Sequence, residues 1–156
     1  DLGEKPIQVA RMHLLESGRK VHYELASAED YAKQHRAQFN VVTCMELLEH
    51  VPDPSSTIMA CADLLKPGGW CFFSTINRNL KAYLFAVIGA EYLLKLLPRG
   101  THDYAKFLRP SELTSMARQA GLDLEAMTGM TYNPISRQYA LAADTTVNYI
   151  VAMRRQ

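Results

Sequence analysis

The sequence lacks the features that mark membrane-spanning, secreted and nucleic-acid-binding proteins. No uncharged apolar run approaches the roughly 18 residues of a spanning helix, and the chain opens on the acidic, polar stretch DLGEKP where a secretory leader would be basic. Its 17 basic and 16 acidic residues leave a net charge of +1, which predicts no nucleic-acid partner. With 48% apolar and 21% charged residues, the composition also excludes a disordered chain.

Cysteine is scarce as well. Cys44, Cys61 and Cys71 are an odd number with no CxxC motif among them, which favours reduced thiols in a cytosolic protein over disulfides or a zinc site.

A chain of 156 residues has about the length of one domain, so we predict a single domain over residues 1–156. Because it begins at Asp1 without a methionine, we also expect it to be a piece of a longer protein.

Helix-like and strand-like segments alternate along the first half of the chain. The predicted strands, which are short apolar or alternating runs, are 21–25, 39–44 and 70–76. The predicted helices are 7–16, 28–36 and 54–65. This rhythm is typical of βαβ units, so we expect an α/β fold with an open, mostly parallel sheet and helices on both faces.

The second half of the chain has a different rhythm. A long apolar helix is predicted over 79–97 and a shorter one over 110–120. Two late strands are predicted near 124–131 and 147–153, separated by a polar loop over 132–146.

Three residues able to carry chemistry follow the predicted strand 39–44. Glu46, Glu49 and His50 are spaced i, i+3 and i+4, so one helical turn would place them on one face. Two carboxylates and an imidazole can hold a divalent cation such as Mg²⁺, and open sheets bind ligands at the carboxyl ends of their strands. A polar helix face is the simpler interpretation, but the position favours a site. A zinc-peptidase HxxEH motif fails because Glu46 stands where its first histidine is required.

Two further signals are weaker. Asp1 stands two residues before a glycine and just ahead of a helix. In nucleotide-binding α/β folds, an acid at the end of the second strand accepts hydrogen bonds from two ribose hydroxyls. A solvated chain end is the simpler interpretation of Asp1. The stretch Lys66-Pro67-Gly68-Gly69 before the strand 70–76 is typical of a turn.

Together these pieces resemble a class I S-adenosylmethionine-dependent methyltransferase. After an acid at Asp1, the segments FNVVTCMELLEHVPDP and LLKPGGWCFFSTINRN resemble the second half of that fold, a Rossmann-like sheet. The blocks CMELLEHVPDP, STINRN, GAEYLLKLLPRGTHDYAKFLRPSEL and MTYNP resemble more specifically the ubiquinone-biosynthesis O-methyltransferase family, which methylates polyprenyl catechols. The resemblance covers nearly all of the chain.

One element of the resembled family has no counterpart in the sequence. The family's Gly-rich loop follows its first strand, whereas no GxGxG motif occurs here and Gly68-Gly69 precedes a later strand. The resemblance therefore implies that this chain lacks the first strand, its loop and most of the second strand. As an isolated chain it would lack part of the cofactor site, leave sheet edges unpaired and be inactive.

The resemblance also implies roles for individual residues. Asp1 would hold the ribose hydroxyls of S-adenosylmethionine, and Met45 would contact the adenosyl group, although a core methionine is the commoner use of that residue. Glu46, Glu49 and His50 match the family's divalent-metal ligands and would be the catalytic residues. A cation would stabilise the catechol phenolate; without one, His50 is the natural general base. The residues implied on the substrate side are Arg78, Thr101, His102, Asp103, Tyr132 and Asn133.

The segment 78–109 carries six basic and two acidic residues and is interpreted as a membrane-interface and substrate insertion. The apolar positions of 79–97 exceed one core-facing stripe, which suits an amphipathic helix lying on an anionic membrane. A core or dimer helix is the alternative. The cations at its two ends are Arg78, Lys81, Lys95 and Arg99.

The resemblance thus implies an S-adenosylmethionine-dependent O-methyltransferase acting on the catechol hydroxyl of polyprenyl phenol or demethylubiquinol intermediates, with Mg²⁺ as the expected cation. We expect it to be cytoplasmic, peripheral on the inner membrane, and in contact with other ubiquinone-biosynthesis enzymes. Two alternatives stay open: a class I methyltransferase for another small phenol, and a non-catalytic lipid-binding module, which the missing Gly-rich loop favours.

Overall fold

The computed structural model describes residues 1–83, 103–133 and 138–156, apart from the side chains of Tyr132 and Asn133. The helices in these ranges are α1 (Glu4–Ser17), α2 (Ala28–Gln34), α3 (Pro54–Leu64), α4 (Leu80–Ala82) and α5 (Pro110–Gln119). The strands are β1 (Phe39–Met45), β2 (Leu65–Ile76), β3 (Leu122–Asn133), β4 (Gln138–Ala142) and β5 (Asn148–Arg155). A short 3₁₀ helix spans Tyr104–Lys106.

The five strands form one sheet in the order β1-β2-β5-β3-β4, which confirms the α/β class. Parallel pairing is confined to β1 and β2; the other three neighbouring pairs are antiparallel. The described part of the sheet is therefore less parallel than predicted. The reason lies in the connections, because a parallel pair needs a crossover of a dozen or more residues, such as α3 provides between β1 and β2, whereas β3 and β4 are joined by a short link.

The hydrophobic core lies between the sheet and two helices. Helix α3 packs against β1 and β2, α5 packs against β3, and α2 packs on the outer side of α3. Burial alternates along β2, where Cys71 and Phe73 are fully buried while Trp70 and Phe72 are half-buried. We call the buried side the helix-covered face. On the other face of β2, Ile76 is buried in a cluster with Ala82 of α4 and with Phe107, so described elements pack on both faces.

Local hydrogen bonds and backbone geometry explain where α3 begins and how the chain continues after its end. The Asp53 carboxylate accepts a 2.9 Å hydrogen bond from the Ser55 amide, and Pro54 occupies the first helical turn. After the helix, Gly68 adopts a φ of +75°, a conformation that side-chain-bearing residues rarely take. The Arg155 guanidinium donates to the carbonyl of Ala62 near the end of the helix.

Two sequence predictions about strands are wrong. Residues 21–25 form no strand; instead the Asp1 ammonium donates to the Glu24 carbonyl at 3.2 Å, and the Ala26 amide donates to the Asp1 carbonyl at 3.1 Å. An alternating pattern makes a strand only where a neighbouring strand offers matching backbone groups. Conversely, the strand β4 lies inside the segment predicted as a loop, where it is ordered by pairing with β3.

The three cysteines are free thiols buried in the hydrophobic core. A hydrogen bond with Cys61, followed by burial, holds the pKa of Cys44 far above its usual range. For Cys61, a hydrogen bond with Cys44 lowers the pKa, while a hydrogen bond with Cys71 and burial raise it, and the result is about 12. The thiols of Cys44 and Cys61 therefore stay protonated at neutral pH. None of the helices in the described ranges is both long and apolar enough to span a membrane.

Candidate functional site

The residues after β1 form a turn, which we call the 46–50 turn. The sequence predicted one helical turn there, and that prediction is wrong: bends and hydrogen-bonded turns replace the helix. Glu46 adopts a φ of +49°, in the left-handed region that non-glycine residues rarely occupy, so a helix cannot continue through it. Glu46 and His50 are exposed, whereas Glu49 is only 3% exposed.

The neighbouring strand β2 supplies the partners of this turn. The Glu46 amide donates to both the backbone carbonyl and the side-chain hydroxyl of Ser74, each at 3.0 Å. The Thr75 hydroxyl donates to the buried Glu49 carboxylate at 2.9 Å. Because β1 and β2 are parallel, their carboxyl ends meet at one edge of the sheet, where open α/β sheets bind ligands.

The expected metal ligands are not gathered into a metal site. In the ranges that the structure describes, no group of three or more His, Cys, Asp and Glu side chains is arranged to hold a metal ion. The physical reason is that Glu49 is buried against Thr75, on the helix-covered face, while Glu46 and His50 are exposed. As arranged, the donor set does not fit a divalent cation.

A cavity of about 840 Å³ opens beside β1 and the start of α2. Asp1 and His50, far apart in sequence, both line it, whereas Met45 stands outside its lining with a 47% exposed side chain. Apolar side chains form much of its wall: Val41, Val42, Leu47, Val51 and Leu64. The structure therefore brings one predicted cofactor residue and one predicted catalytic residue to the same cavity.

Asp1 itself is tied to the chain nearby. Its carboxylate accepts a 2.7 Å hydrogen bond from the Gly3 amide, and its backbone groups contact Glu24 and Ala26. Asp1 is thus held at the cavity wall by hydrogen bonds to the segment that precedes α2.

Glu29 is a cavity residue that the sequence analysis missed. The hydroxyls of Ser56 and Thr57 both donate to its carboxylate at 2.8 Å. Partial burial raises the pKa of Glu29, but hydrogen bonds from its own backbone amide, from Thr57 and from Ser56 outweigh this, so the pKa lies below its usual value. The signal available in the sequence was an acid in the first turn of a predicted helix, a position that the helix dipole favours whether or not the acid belongs to a site.

Two of the residues expected on the substrate side have described side chains, and each contacts another residue of the chain. Arg78 forms an ion pair with Glu112 of α5, at the wall of a second, more open cavity. The Asp103 carboxylate caps the 3₁₀ helix by accepting from the Ala105 amide at 3.1 Å. Thr101 and His102 lie outside the described residues, and so do the side chains of Tyr132 and Asn133.

The predicted membrane helix, 79–97, lies almost wholly outside the described residues. The part that the structure describes is 79–83, in which Leu80–Ala82 is helical. Its first two cations contact acids of the same chain. Besides the Arg78 pair, the Lys81 ammonium lies 2.8 Å from the Asp144 carboxylate and 2.7 Å from the Thr146 hydroxyl.

Similarity to known proteins decides the family of this chain. Residues 4–127 match the model of a family described as a methyltransferase domain. The chain is 67% identical over 156 residues to a protein of Thiobacillus denitrificans named ubiquinone biosynthesis O-methyltransferase, covering all of this chain and 67% of that one. The chain belongs to the ubiquinone biosynthesis O-methyltransferase family. A relative of the same name from Nitrosospira multiformis is 66% identical over 154 residues, which are 99% of this chain and 64% of that one.

Members of this family are therefore longer, and the chain spans about two thirds of the length of these relatives. Solved structures support the fold. A protein titled as a SAM-dependent methyltransferase from Methanosarcina mazei superposes with a TM-score of 0.69 at 17% identity, covering 99% of this chain and 79% of that one. A magnesium protoporphyrin IX methyltransferase from Synechocystis gives a TM-score of 0.64 at 16% identity, covering 100% and 62%. The class I methyltransferase fold is thus confirmed.

Proposed function

We propose that the protein carrying this chain is an S-adenosylmethionine-dependent O-methyltransferase of ubiquinone biosynthesis, and that it methylates the catechol hydroxyl of a polyprenyl phenol or demethylubiquinol. The observation that carries the proposal is the 67% identity, over the whole chain, to a protein of that name. We further propose that residues 1–156 belong to a single methyltransferase domain whose segment 78–109 faces the substrate and the membrane.

The cavity beside β1 is the proposed site of the methyl donor. Its volume of about 840 Å³ falls in the range of roughly 300–1,000 Å³ that is typical of small-molecule sites. The apolar walls and the Asp1 carboxylate in the lining suit a nucleoside, and Asp1 would accept hydrogen bonds from the ribose hydroxyls. Met45, exposed at the carboxyl end of β1, is retained as the proposed adenosyl contact.

The proposed chemistry at the acceptor is a proton transfer followed by a displacement. S-adenosylmethionine supplies a methyl group bonded to a positively charged sulfur. The catechol hydroxyl gives its proton to a ring nitrogen of His50, which lines the cavity and carries an imidazole, the side-chain group that most often acts as a general base. The phenolate oxygen then bonds to the methyl carbon as the carbon–sulfur bond breaks, and its electron pair remains on the sulfur of S-adenosylhomocysteine. Apart from this proton transfer, most of the rate enhancement comes from positioning the two reactants.

We derive no step through a divalent cation, because Glu46, Glu49 and His50 are not gathered as ligands. Glu46 remains a proposed catalytic residue, since its exposed side chain stands at the same strand end as Met45. An EDTA titration tests this choice. Activity that survives EDTA supports His50 as the proton acceptor, whereas loss of activity that Mg²⁺ restores would overturn it in favour of the metal interpretation.

The acceptor side of the proposal includes Arg78, Thr101, His102, Asp103, Tyr132 and Asn133. The polyprenyl tail of the substrate requires the protein to approach the bilayer, and we propose the segment 79–97 for this contact, with the other ubiquinone-biosynthesis enzymes as further partners. Flotation with anionic liposomes tests it: changing Leu84 and Val87 to Asp should abolish flotation, because charge is costly in the apolar part of a membrane. Equal flotation would contradict the membrane contact.

The central experiment offers a short-chain, water-soluble catechol and S-adenosylmethionine to the protein carrying this chain. We expect mass spectrometry to detect one added methyl group on oxygen, and the His50→Gln variant to lose most of the turnover. His13→Gln on the exposed surface of α1 is the matched control and should keep wild-type turnover. If the wild-type protein methylates unrelated phenols but no catechol, the proposed substrate class is wrong. If it methylates nothing, the proposed methyltransferase activity is wrong.

A further inference from the structure

Two consecutive hydroxyl residues of β2 hold the 46–50 turn from opposite ends. Ser74 and Thr75 are 2% and 0% exposed, and alternate positions of a strand point to opposite faces of the sheet. Ser74 contacts the first residue of the turn, and Thr75 contacts the residue before His50. The turn thus receives one buried hydroxyl partner near each end.

The first contact supports an unfavourable backbone conformation. A φ of +49° is a costly conformation for a non-glycine residue, and it persists only where the surroundings hold the residue there. At Glu46 the surroundings are the carbonyl and hydroxyl of Ser74, which share the Glu46 amide at 3.0 Å each. These bonds connect the end of β1 to β2 at the point where the chain leaves the sheet.

The second contact fixes the other end of the turn. A buried carboxylate is costly unless it is hydrogen-bonded, and the Thr75 hydroxyl provides a 2.9 Å bond to the Glu49 carboxylate. Because His50 follows Glu49 directly, the position of the Glu49 side chain restricts where the imidazole can lie. The His50 amide closes the turn by donating to the Leu47 carbonyl at 2.9 Å.

We propose that Ser74 and Thr75 form a hydroxyl clamp that positions Glu46 and His50 at the cavity edge. Both are positioning residues, because they act through the turn and contact no reacting atom. This inference rests on the proposed function for its kinetic consequence, but its structural consequence is measurable without any substrate.

The test uses three variants of the protein carrying this chain. Thr75→Val removes the hydroxyl at almost constant volume, Thr75→Ser retains it, and Thr128→Val is the matched control because it removes a strand hydroxyl that donates to the Ala142 carbonyl, away from the turn. In NMR spectra of the substrate-free protein, we expect Thr75→Val to shift the His50 ring and Glu46 amide signals. Thr75→Ser should restore them, and Thr128→Val should leave them in place.

The kinetic arm separates a failure of the clamp from a failure of the proposed function. We expect Thr75→Val to lower kcat about ten- to a hundredfold, with KM for S-adenosylmethionine nearly unchanged, since a small displacement of a reacting group costs this much. Recovery of kcat in Thr75→Ser supports the clamp. Shifted signals in a protein whose wild type methylates nothing would support the clamp and contradict the enzyme.

A second variant keeps the proposal testable if Thr75→Val does not fold. Ser74→Ala removes one of the two acceptors of the Glu46 amide, so we expect faster hydrogen exchange at that amide and a smaller loss of kcat. Signals and exchange equal to wild type in both Thr75→Val and Ser74→Ala would overturn the clamp.

Discussion

Phe73 and Thr75 lie two residues apart on the same face of β2, but they belong to regions held together in different ways. Phe73 is fully buried among the apolar side chains of the helix-covered face. Thr75 is equally buried, yet its hydroxyl bonds to the Glu49 carboxylate at the carboxyl edge of the strand. One strand therefore passes, within a few ångströms, from an apolar core to a polar edge.

Because the two regions are held together differently, substitutions in one should lower stability and substitutions in the other should lower turnover. The helix-covered face is stabilised by apolar area and close packing, to which many side chains contribute, so a large truncation there affects the whole fold. The 46–50 turn is held by a few directional hydrogen bonds and carries exposed polar side chains. Changes of those side chains should affect turnover while leaving the fold intact.

The largest expected effect is in the core. Phe73→Ala should lower the free energy of unfolding by about 3–5 kcal/mol, because it leaves a cavity among residues that cannot close around it. Urea denaturation measures this. Phe72→Ala on the opposite, half-buried side is the matched control and should cost clearly less. Equal costs would contradict the distinction between the two faces.

The next effect is in the turn and should appear in turnover alone. His50→Ala should lower kcat by about 10²–10⁴-fold, the usual contribution of a general base. Its free energy of unfolding should stay within about 0.5 kcal/mol of wild type, since the side chain is exposed. A variant that unfolds early but turns over normally when folded would reverse the roles that we give the two regions.

A smaller effect should separate strain from function at Glu46. Glu46 and Ala37 are the two non-glycine residues with positive φ in the described ranges, at +49° and +53°. Replacing either with Gly should relieve strain and raise the free energy of unfolding by up to about 1 kcal/mol.

Only the change at Glu46 should also lower kcat, because Glu46 is a proposed catalytic residue, whereas Ala37, between α2 and β1, is not among the residues that line the cavity. Denaturation and turnover of Glu46→Gly and Ala37→Gly, measured side by side, check this. Loss of turnover in both variants would show that the effect comes from general loosening of the fold.

The smallest expected effect is a pH dependence outside both regions. A hydrogen bond from Lys81, with further bonds from Thr146, holds the pKa of the Asp144 carboxyl well below its usual range. A lowered folded-state pKa stabilises the protein above the ordinary Asp value of about 3.9, and this contribution is lost as the pH falls through the folded value.

Asp144→Asn should therefore unfold at a lower temperature than wild type at pH 7, and the gap should close in strongly acidic buffer. High salt should also narrow the gap, since the pair is exposed and screened. A gap independent of both pH and salt would contradict the ion-pair explanation.

Several elements could be predicted from the sequence because their signals are local. The apolar run from Phe39 predicts β1 within one residue of its end, and the cap at Asp53 with Pro54 predicts the start of α3. The helix α5 starts at Pro110 as its proline and following acid predict. Glu46 and His50 were recognised as site candidates because polar residues at a strand's carboxyl end indicate a ligand edge.

The errors concern features that depend on contacts between distant residues. Spacing alone predicted a helix through residues 46–50, but bonds from Ser74 and Thr75 stabilise a turn instead. Glu29 gave no separate signal, since its role depends on hydroxyls of α3 that meet it only in the folded protein.

By itself, the sequence determined the α/β class, the family and the set of polar residues at the carboxyl edge, because these depend on local patterns and on residue identities. The tertiary structure decided which strands pair antiparallel, which face α3 and α5 cover, and that Glu49 turns inward to Thr75 while His50 lines the cavity with Asp1. The physical reason is that hydrogen bonds and burial join residues far apart in the chain, and a buried carboxylate takes the position in which a partner can satisfy it.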